Sequence, residues 1–364
     1  MAGEGSVRLN NNSYILVLGM GGTISGIADN ADKPLKYQTG KVSVENLLGQ
    51  AGVASLGGCK LVSRQVANID SQNLTDAHLT ELGLLVSQAL EDPLLKGLVI
   101  THGTDTIEET GIFLHLTCGN KAWNAAKRIV LTGAMRPSNA FLSDGPKNLS
   151  NALKLASAAF DDFPGGVYGV FAGQVCLGMD LSKRHSTNLD APLQDAFCSN
   201  IDSRDPSWLA MLRSLKWPAE RDLPIPKHDA WPWVEILTSH AGARPESVHH
   251  WLGSRVTGLV VAGTGLGGYH AAWASGLHIA AQNGIAIVRC SRTGAGHVCS
   301  DIPEKEIGGM VAGGNLSAPK ARIALQLALN DVNRSNDGCL STSWQDLFLK
   351  TAFLHGNSKV LKLE

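Results

Sequence analysis

The sequence predicts two α/β domains with mainly parallel sheets, a larger N-terminal domain and a smaller C-terminal domain joined by a linker. Three observations favour this fold: a length of 364 residues, an abundance of glycine with 40 residues, and short apolar runs that alternate with helical patterns. At about 150 residues per domain, the length indicates two domains or slightly more. Glycine allows tight turns between strands and helices, and their alternation is typical of a parallel sheet.

Short β-branched runs mark the predicted strands, and longer stretches with helical periodicity mark the helices. In the first domain, the predicted strands are Tyr14–Leu18, Gly97–Ile100, Arg128–Leu131 and Gly166–Phe171. The predicted helices of this domain are Leu74–Leu90 and Asn148–Ala159. The second domain has predicted strands at Gly258–Val261 and Gly284–Arg289, followed by a helix at Ala318–Asn330. Pro319 suits the first turn of that last helix.

A change of composition separates the two predicted domains. The stretch Ser203–Pro232 carries three tryptophans and five prolines: Trp208, Trp217, Trp231, Pro206, Pro218, Pro224, Pro226 and Pro232. Proline-dense sequence is typical of a linker or an irregular insertion. We therefore predict an N-terminal domain over residues 1–210, a linker over residues 211–233 and a C-terminal domain over residues 234–364.

Composition excludes several classes of protein. The formal net charge is −1, and no long run of Lys or Arg is present, which argues against binding to nucleic acid. No apolar stretch approaches the roughly 20 residues that span a bilayer. The polar N-terminus lacks the pattern of a secretory signal, so a cytoplasmic location is expected, or a periplasmic one if a signal has been removed. Seven scattered cysteines form no C-x-x-C pair, which argues against a zinc cage or a disulfide framework.

Three polar, glycine-rich segments follow predicted strands of the first domain. They are Gly19–Gly26, Thr101–Thr110 and Gly133–Gly145. In open α/β sheets, ligands bind beyond the carboxyl ends of the strands. The three segments are therefore expected to form a site together.

The first segment places Thr23 between glycines directly after a strand. A hydroxyl fixed at a strand end can act as a nucleophile if a proton acceptor lies nearby. A phosphate-cradling turn or a purely structural turn explains the same residues equally well, because Gly-Gly-Thr is a weak motif.

The polar stretch Ile27–Lys41 that follows has the length of a lid and contains a single aromatic residue, Tyr37. Tyr37 is predicted to bring a phenol to Thr23, and the alternative is an exposed loop with an ordinary tyrosine.

The segment Thr101–Thr110 (THGTDTIEET) is the most informative. Its hydroxyl and carboxylate residues are expected near the N-terminus of a helix, where capping is one explanation, with Thr106 and the two glutamates as the capping residues. One hydroxyl or carboxylate is enough for capping, so some of these polar residues are free to face a cleft. Asp105 is then predicted to bind a substrate ammonium and Thr104 to position water. His102 is predicted to be a packed, hydrogen-bonded structural histidine.

Lys183 is a single lysine after an apolar strand region. One interpretation is a solvated lysine. The other is a cation near Thr104 that lowers the cost of removing the hydroxyl proton.

A competing motif lies in the second domain. Gly263–Gly268 fits the G-x-G-x-x-G pattern of dinucleotide-binding domains, and Ser291 and Arg292 follow the next strand like a site for a ribose phosphate. An NADP-binding reductase is therefore an alternative. No acidic residue occurs between Tyr269 and Ser300, so NAD would lack its usual ribose partner, and a glycine-rich turn that allows close packing is the preferred explanation.

The segments together resemble the bacterial-type L-asparaginases and glutaminase-asparaginases. The match covers Tyr14–Ser203 and Val234–Asn330, and the motifs that carry it occur in the family's order: Gly21–Gly26 (GGTISG), Ala67–Asp76 (ANIDSQNLTD), His102–Thr110 (HGTDTIEET), Gly133–Pro137 (GAMRP), Asp144–Leu149 (DGPKNL) and Pro319–Arg322 (PKAR). The resemblance implies hydrolysis of the side-chain amide of L-asparagine, with L-glutamine a further substrate, and neither a metal nor an organic cofactor. It also implies a homotetramer, built as a dimer of dimers.

The resemblance also implies roles for individual residues. Thr23 resembles the nucleophile and Tyr37 its lid partner, so that Thr23 attacks the amide carbon and water hydrolyses the acyl-enzyme. Attack by a water held by Thr104 and Lys183 stays open as an alternative. The catalytic set is thus Thr23, Tyr37, Thr104, Asp105 and Lys183, and the substrate-binding set is Asp70, Ser71, Gln72, Thr104 and Asp105.

The sequence departs from the family's pattern in the second domain. Where members often carry a polar residue that reaches a neighbouring subunit's site, this chain has Gly267 and Gly268. The acidic residue expected shortly after Ser291–Gly296 is one of Asp301, Glu304 and Glu306. Substrate preference is therefore less well predicted than fold and reaction type, and the alternative is a glutaminase-asparaginase or a related amidohydrolase of the same fold that acts on a larger amide.

Overall fold

A computed structural model of the chain describes residues 12–33, 35–53, 55–56, 58–159, 163–189, 199–200, 207, 209–210, 212, 221–294, 296–299, 308–335 and 343–352. The chain divides into two compact units, Met1–Ser214 and Leu215–Glu364. The predicted boundary at residue 210 lies close to this division. The predicted linker at 211–233 stays a prediction, because residues 213–220 are outside the described ranges.

The first unit is built on an eight-stranded sheet with the order β10-β9-β8-β7-β6-β1-β5-β4. The strands of this sheet are β1 Tyr14–Gly21, β4 Ser55–Leu56, β5 Cys59–Ile69, β6 Leu95–Thr101, β7 Arg128–Thr132, β8 Gly166–Phe171, β9 Gln174–Leu177 and β10 Ser199–Asn200. The five from β8 to β5 in the sheet order run parallel to their neighbours. The strands at the two edges, β4, β9 and β10, pair antiparallel. The prediction of a mainly parallel sheet is confirmed.

In the described part of the first unit, the strands are connected by the helices α1 Val44–Gln50, α2 Asp76–Ala89, α3 Ile107–Asn124 and α4 Gly145–Ser157. Helices α3 and α4 pack on the central strands β7 and β8, and α2 packs on α3. The central strands are apolar on both faces, as expected where helices cover a parallel sheet. In β1, for example, Ile15, Val17 and Leu18 have no exposed surface.

A separate two-stranded hairpin follows β1 and lies outside the main sheet. Its strands are β2 Ile27–Ala28 and β3 Tyr37–Gln38, which pair antiparallel. We call residues 27–38 the lid hairpin. The sequence predicted a lid over this stretch but no strands in it.

The second unit contains a four-stranded parallel sheet with the order β11-β12-β13-β14. Its strands and helices are β11 Val234–Thr238, α5 Glu246–Leu252, β12 Gly258–Gly263, α6 Ala274–Gln282, β13 Ala286–Ser291, β14 Val311–Ala312, α7 Ala318–Ser335 and α8 Trp344–Ala352. Its core joins sheet residues such as Leu259 and Ile287 to the fully buried Trp273, whose indole nitrogen donates to the Arg244 carbonyl at 2.9 Å. A buried indole N–H group needs such a hydrogen-bond acceptor.

The predicted elements exist, and most differ from the observed ones only in their ends. The helix predicted at Leu74–Leu90 is α2, whose N-cap Thr75 accepts a hydrogen bond from the backbone N–H of His78. The helix predicted at Asn148–Ala159 begins three residues earlier, at Gly145, with Pro146 in its first turn. The long strand β5 was missed because its side chains are only partly buried and carry several polar groups.

Candidate active site

The carboxyl ends of three neighbouring strands form the frame of the site. Strand β1 lies between β5 and β6 and runs parallel to both, so the loops that leave the three strands emerge side by side. These loops carry Thr23, Ser71 and Thr104. A hydrogen bond of 2.8 Å from the Gly22 amide to the Ile69 carbonyl joins the first loop to the second.

The backbones of these loops lie unusually close together. A Cβ atom built on Gly22 would lie 2.3 Å from the Cα of Gly103, and one built on Gly103 would lie 2.5 Å from the Oγ of Ser71. Only glycine permits such an approach. The two glycines therefore bring the predicted residues Thr23, Thr104 and Ser71 into one cluster.

Gly22 is expected to be intolerant of any side chain. Its φ of 80° disfavours alanine, and the new methyl group would also collide with backbone atoms of Gly103. We expect Gly22→Ala to lower the free energy of unfolding by about 3 kcal/mol or more, measured by urea denaturation. Gly52→Ala is the matched control: its φ is 67° but no atom lies within 4 Å of the new Cβ, so we expect a loss of about 1 kcal/mol. Equal losses in the two variants would contradict the close approach of the two loops.

Thr23 opens a short 3₁₀ turn, Thr23–Ser25, directly after β1. The turn is held by the Ser25 hydroxyl, which donates to the Gly22 carbonyl at 2.9 Å. The Thr23 side chain is largely buried, and its Oγ1 lies 2.8 Å from the Oη of Tyr37. A fixed hydroxyl thus meets the phenol that the sequence predicted as its partner.

Tyr37 reaches Thr23 from the lid hairpin. In the hairpin, Tyr37 is the register partner of Ala28. Its ring packs over Gly26, where an added Cβ would lie 2.8 Å from the ring carbon Cδ2. The hairpin therefore lies over the Thr23 turn, in the position expected of a closed lid.

A second hydroxyl of the site has a cationic partner. Lys183 donates from Nζ to the Oγ1 of Thr104 at 2.9 Å and to the Oδ1 of Asp105 at 2.6 Å. The Lys183 side chain is 20% exposed and that of Asp105 is 52% exposed, so the carboxylate of the pair is open to solvent. The structure thus brings the predicted Thr104, Asp105 and Lys183 together, and the interpretation of Lys183 as a merely solvated lysine is wrong.

The predicted substrate-binding residues Asp70, Ser71 and Gln72 follow β5 and enter a 3₁₀ turn, Ser71–Asn73. The Ser71 side chain is buried, and its Oγ has no hydrogen-bond partner among the described residues. A buried hydroxyl without a partner is costly, which suits a group that receives its partner from a ligand. Gln72 is exposed and donates from Nε2 to the Oδ2 of Asp70 at 3.3 Å.

The prediction that the Thr106 side chain caps the helix is wrong. Thr106 is the N-cap residue of α3, but its side chain makes no capping hydrogen bond. Its hydroxyl instead donates to the carbonyl of Ser71 at 2.9 Å. Thr106 therefore ties the loop after β6 to the loop after β5, a long-range role that local sequence does not reveal.

The prediction that His102 is a structural residue is confirmed. His102 is buried, its Nδ1 donates to the Gly103 carbonyl at 2.8 Å, and its Nε2 lies 3.0 Å from the hydroxyl of Thr110. Burial lowers the pKa of His102 to about 4, so the ring is neutral at neutral pH. A neutral imidazole with both nitrogens bonded to protein atoms serves to shape the turn at Gly103.

The third strand-end segment, Gly133–Gly145, has a structural role that the sequence did not reveal. Asp144 accepts hydrogen bonds from the backbone amides of Met135 and Arg136, and burial raises the pKa of its carboxyl. The Asn148 side chain donates to the Gly133 carbonyl at 3.0 Å and accepts from the Ala172 amide at 2.9 Å. These polar groups fix the loop after β7.

The glycine-rich loop of the second unit does not have the form of a dinucleotide site. Thr264 and Gly268 exchange two backbone hydrogen bonds, of 2.6 and 2.7 Å, so the loop closes on itself as a tight turn. The buried Arg289 donates to the carbonyl of Leu266 inside it at 2.7 Å. Helix α6 begins only at Ala274, so the loop does not lead directly into a helix N-terminus that would hold a pyrophosphate. The prediction of a close-packing turn is confirmed, and the reductase alternative finds no support.

Comparisons with known proteins agree with this site. The family model described as asparaginase, N-terminal, matches residues 14–200, and the model described as glutaminase/asparaginase C-terminal domain matches residues 233–337. L-asparaginase 2 of Escherichia coli (strain K12) is 34% identical over 86% of this chain and 88% of that protein. L-asparaginase 2 of Bacillus subtilis (strain 168) is 30% identical over 88% of this chain and 83% of that protein.

A solved structure shows the same fold. The crystal structure of a probable cytoplasmic L-asparaginase from Campylobacter jejuni superposes with a TM-score of 0.71 at 28% identity, covering 93% of this chain and 100% of that one. The fold, the site and these matches together define an amidohydrolase. The chain belongs to the asparaginase family.

Two absences hold for the described part of the chain. Within the described ranges, no group of three or more His, Cys, Asp or Glu residues has the arrangement of a metal site. In that same part of the chain, no helix is long and apolar enough to cross a membrane. The predicted acidic candidates Asp301, Glu304 and Glu306 lie outside the described residues, as do Pro206, Trp208, Trp217 and Pro218 of the predicted insertion.

Proposed function

We propose that this chain hydrolyses the side-chain amide of L-asparagine to L-aspartate and ammonia, with Thr23 as nucleophile. One observation carries the proposal: the Thr23 hydroxyl is held at the end of the central strand β1, 2.8 Å from the phenol of Tyr37. A hydroxyl needs such a proton acceptor before it can attack an amide carbon. The membership of the asparaginase family supports the same assignment.

The first half of the reaction forms an ester on Thr23. The Oγ1 of Thr23 bonds to the amide carbon of the substrate while the carbonyl electron pair moves to oxygen. The proton of Thr23 passes through the Tyr37 hydroxyl to the leaving nitrogen, the C–N bond breaks and ammonia departs. Backbone N–H groups of the loop that carries Thr104 stabilise the oxyanion.

The second half consumes water. Water adds to the ester carbon, the bond to Thr23 breaks, and a proton returns to the threonine oxygen as aspartate is released. The ammonium of Lys183 donates to the Thr104 hydroxyl, which lowers the cost of negative charge on that oxygen. Thr104 can thus hold and polarise the attacking water. The same pair, acting on the substrate directly, is the alternative in which no ester forms.

The substrate's amino-acid group is bound by the second and third loops. Asp105 offers an exposed carboxylate, which suits the α-ammonium of the substrate. The buried Ser71 hydroxyl offers a donor for the α-carboxylate. Asp70 and Gln72 lie beside Ser71 on the same turn and complete the proposed binding set. Such a set recognises a free amino acid rather than an amide within a longer chain.

Glutamine is the second candidate substrate. The family model for the C-terminal domain covers glutaminases as well as asparaginases. Glutamine is longer than asparagine by one methylene, which is worth about 10- to 200-fold in discrimination. The site fixes the amino-acid group and the nucleophile on loops in close contact, so we propose that the shorter asparagine is preferred.

Ammonia release from each amide tests this proposal. We expect purified protein to release ammonia from L-asparagine with a kcat/KM at least about tenfold above that for L-glutamine. A higher kcat/KM for glutamine would make the enzyme a glutaminase of the same fold. Absence of release from both amides would contradict the proposed reaction.

Assembly and location complete the proposal. The family resemblance supports a homotetramer built as a dimer of dimers, which light scattering tests by the mass in solution. A cytoplasmic location is supported by the free cysteines of the described part of the chain and by the Campylobacter jejuni structure, which is that of a probable cytoplasmic enzyme. Since a relative from Haemophilus influenzae is named as probable periplasmic, a periplasmic location is the alternative.

A further inference from the structure

The side chain of Asn139 makes an unusual contact with the lid hairpin. Its Oδ1 accepts from the backbone amide of Ala28 at 2.7 Å, and its Nδ2 donates to the carbonyl of the same residue at 2.9 Å. One carboxamide thus satisfies both backbone groups of Ala28, as a neighbouring strand would. Asn139 lies 111 residues further along the chain, in the loop after β7.

The register of the lid hairpin connects this contact to the nucleophile. In an antiparallel pair, the backbone groups of successive residues point alternately towards the partner strand and away from it. The Asp29 amide donates across the hairpin to the Lys36 carbonyl, so the groups of the preceding residue, Ala28, point outward to Asn139. Ala28 is the register partner of Tyr37, whose Oη contacts Thr23.

Neighbouring residues of the same loop extend the contact along the hairpin. Ser138 donates to the Gly26 carbonyl from both its amide and its hydroxyl, at 2.9 and 2.8 Å. The Phe141 amide donates to the Ala31 carbonyl at 3.2 Å. The loop is itself fixed, because Asp144 at its end accepts from the backbone amides at its start. A rigid support thus lies along the outer edge of the hairpin.

We propose that Asn139 is a positioning residue for catalysis, which holds the lid hairpin so that Tyr37 stays in contact with Thr23. This inference rests on the proposed function, because it assigns Asn139 an effect only through Tyr37. Without the carboxamide, the backbone amide and carbonyl of Ala28 lose their partners. They then form hydrogen bonds with water only when the hairpin lifts, so the lifted hairpin is favoured. The fraction of molecules with Tyr37 at Thr23 then falls, and kcat falls with it.

Steady-state kinetics of Asn139→Ala test the inference. Loss of two hydrogen bonds is expected to lower kcat for asparagine by about tenfold. Asn124→Ala is the matched control, since Asn124 is exposed near the end of α3 and, among the described residues, its side chain bonds to that of Asn120 in the same helix. Its kcat is expected within twofold of wild type. A kcat for Asn139→Ala that is also within twofold of wild type would overturn the proposal.

A double-mutant cycle separates positioning from a merely structural role. In a Tyr37→Phe background, Asn139→Ala is expected to lower kcat by less than twofold, because the group on which it acts is gone. An equal loss in both backgrounds would overturn the proposal. Failure of Tyr37→Phe alone to lower kcat would refute the catalytic role of Tyr37 and the inference with it. A loss for Tyr37→Phe with none for Asn139→Ala would refute the inference and leave the proposed function standing.

Limited proteolysis measures directly how readily the lid hairpin lifts. The exposed Lys36 precedes Tyr37, whose ring packs over Gly26, so we expect trypsin to cleave between the two residues faster when the hairpin lifts. We expect this cleavage to be about tenfold faster in Asn139→Ala. If that variant does not fold, Asn139→Asp replaces it: its carboxylate still accepts from Ala28 but cannot donate. Its loss of kcat is expected to shrink at low pH, where the protonated carboxyl regains a donor. An unchanged cleavage rate in a folded variant would overturn the proposal.

Discussion

Thr23→Ala is expected to lower asparagine-dependent ammonia release by about a thousandfold or more, with the fold intact. The substitution removes the only atom of the residue that can bond to the amide carbon, and it leaves the Tyr37 phenol without the hydroxyl it contacts. The measurement is kcat with purified protein in a continuous ammonia assay. Near-ultraviolet circular dichroism checks that the side-chain packing is unchanged.

Thr23→Ser is the matched control for this variant. It keeps the hydroxyl and removes only a methyl group, so we expect kcat to stay within about tenfold of wild type, with the loss due to looser positioning. The comparison separates the nucleophilic oxygen from the packing of the threonine methyl. Full activity in Thr23→Ala would contradict the assignment of Thr23 as nucleophile.

Lys183→Met is expected to lower kcat by about a hundredfold to ten-thousandfold. The methionine keeps the length and apolar body of the side chain and removes the ammonium that donates to Thr104 and Asp105. Thr104 then loses the charge that favours polarisation of its oxygen, and the carboxylate of Asp105 loses its fixed orientation. We expect kcat to fall and KM to rise together, since the same cation serves the water site and the substrate site.

Lys121→Met provides an internal comparison. Lys121 also donates to one hydroxyl and one carboxylate, those of Ser87 at 3.1 Å and Glu91 at 2.7 Å, but it lies near the C-terminal end of α3, away from the strand ends of the site. An exposed ion pair of this kind contributes about 0–1 kcal/mol to stability. We expect unchanged kcat in Lys121→Met. Equal kinetic losses in the two methionine variants would contradict a specific role for Lys183.

The fold was largely predictable because its signals are local. Buried strands such as β1 and β7 appear as short β-branched runs, and the glycines that follow β1 mark a turn. Strand β5 was missed because a partly exposed strand lacks such a run. The order of the strands in the sheet is not local information, and it alone decides that the loop after β5 adjoins that of Thr23.

The site was predictable in its parts and not in its connections. The hydroxyl and carboxylate residues of Thr101–Thr110 stand out in the sequence, but the contact between Thr106 and the Ser71 carbonyl joins residues 35 positions apart. The pairing of Lys183 with Thr104 spans 79 positions, so a solvated lysine fitted the sequence as well. Asn139 gave no signal, because its partner is a backbone unit rather than a complementary side chain. Such contacts depend on tertiary packing, which a single sequence does not encode in any short window.

Detection of the acyl-enzyme tests the role of Thr23 most directly. Wild-type protein is mixed with L-asparagine, quenched with acid within the first turnovers, and digested for mass spectrometry. We predict a peptide that contains Thr23 with the added mass of one aspartyl group, absent from Thr23→Ala treated in the same way. An aspartyl group on the peptide of Thr104, or full turnover with no aspartyl group on any peptide, would contradict Thr23 as the nucleophile.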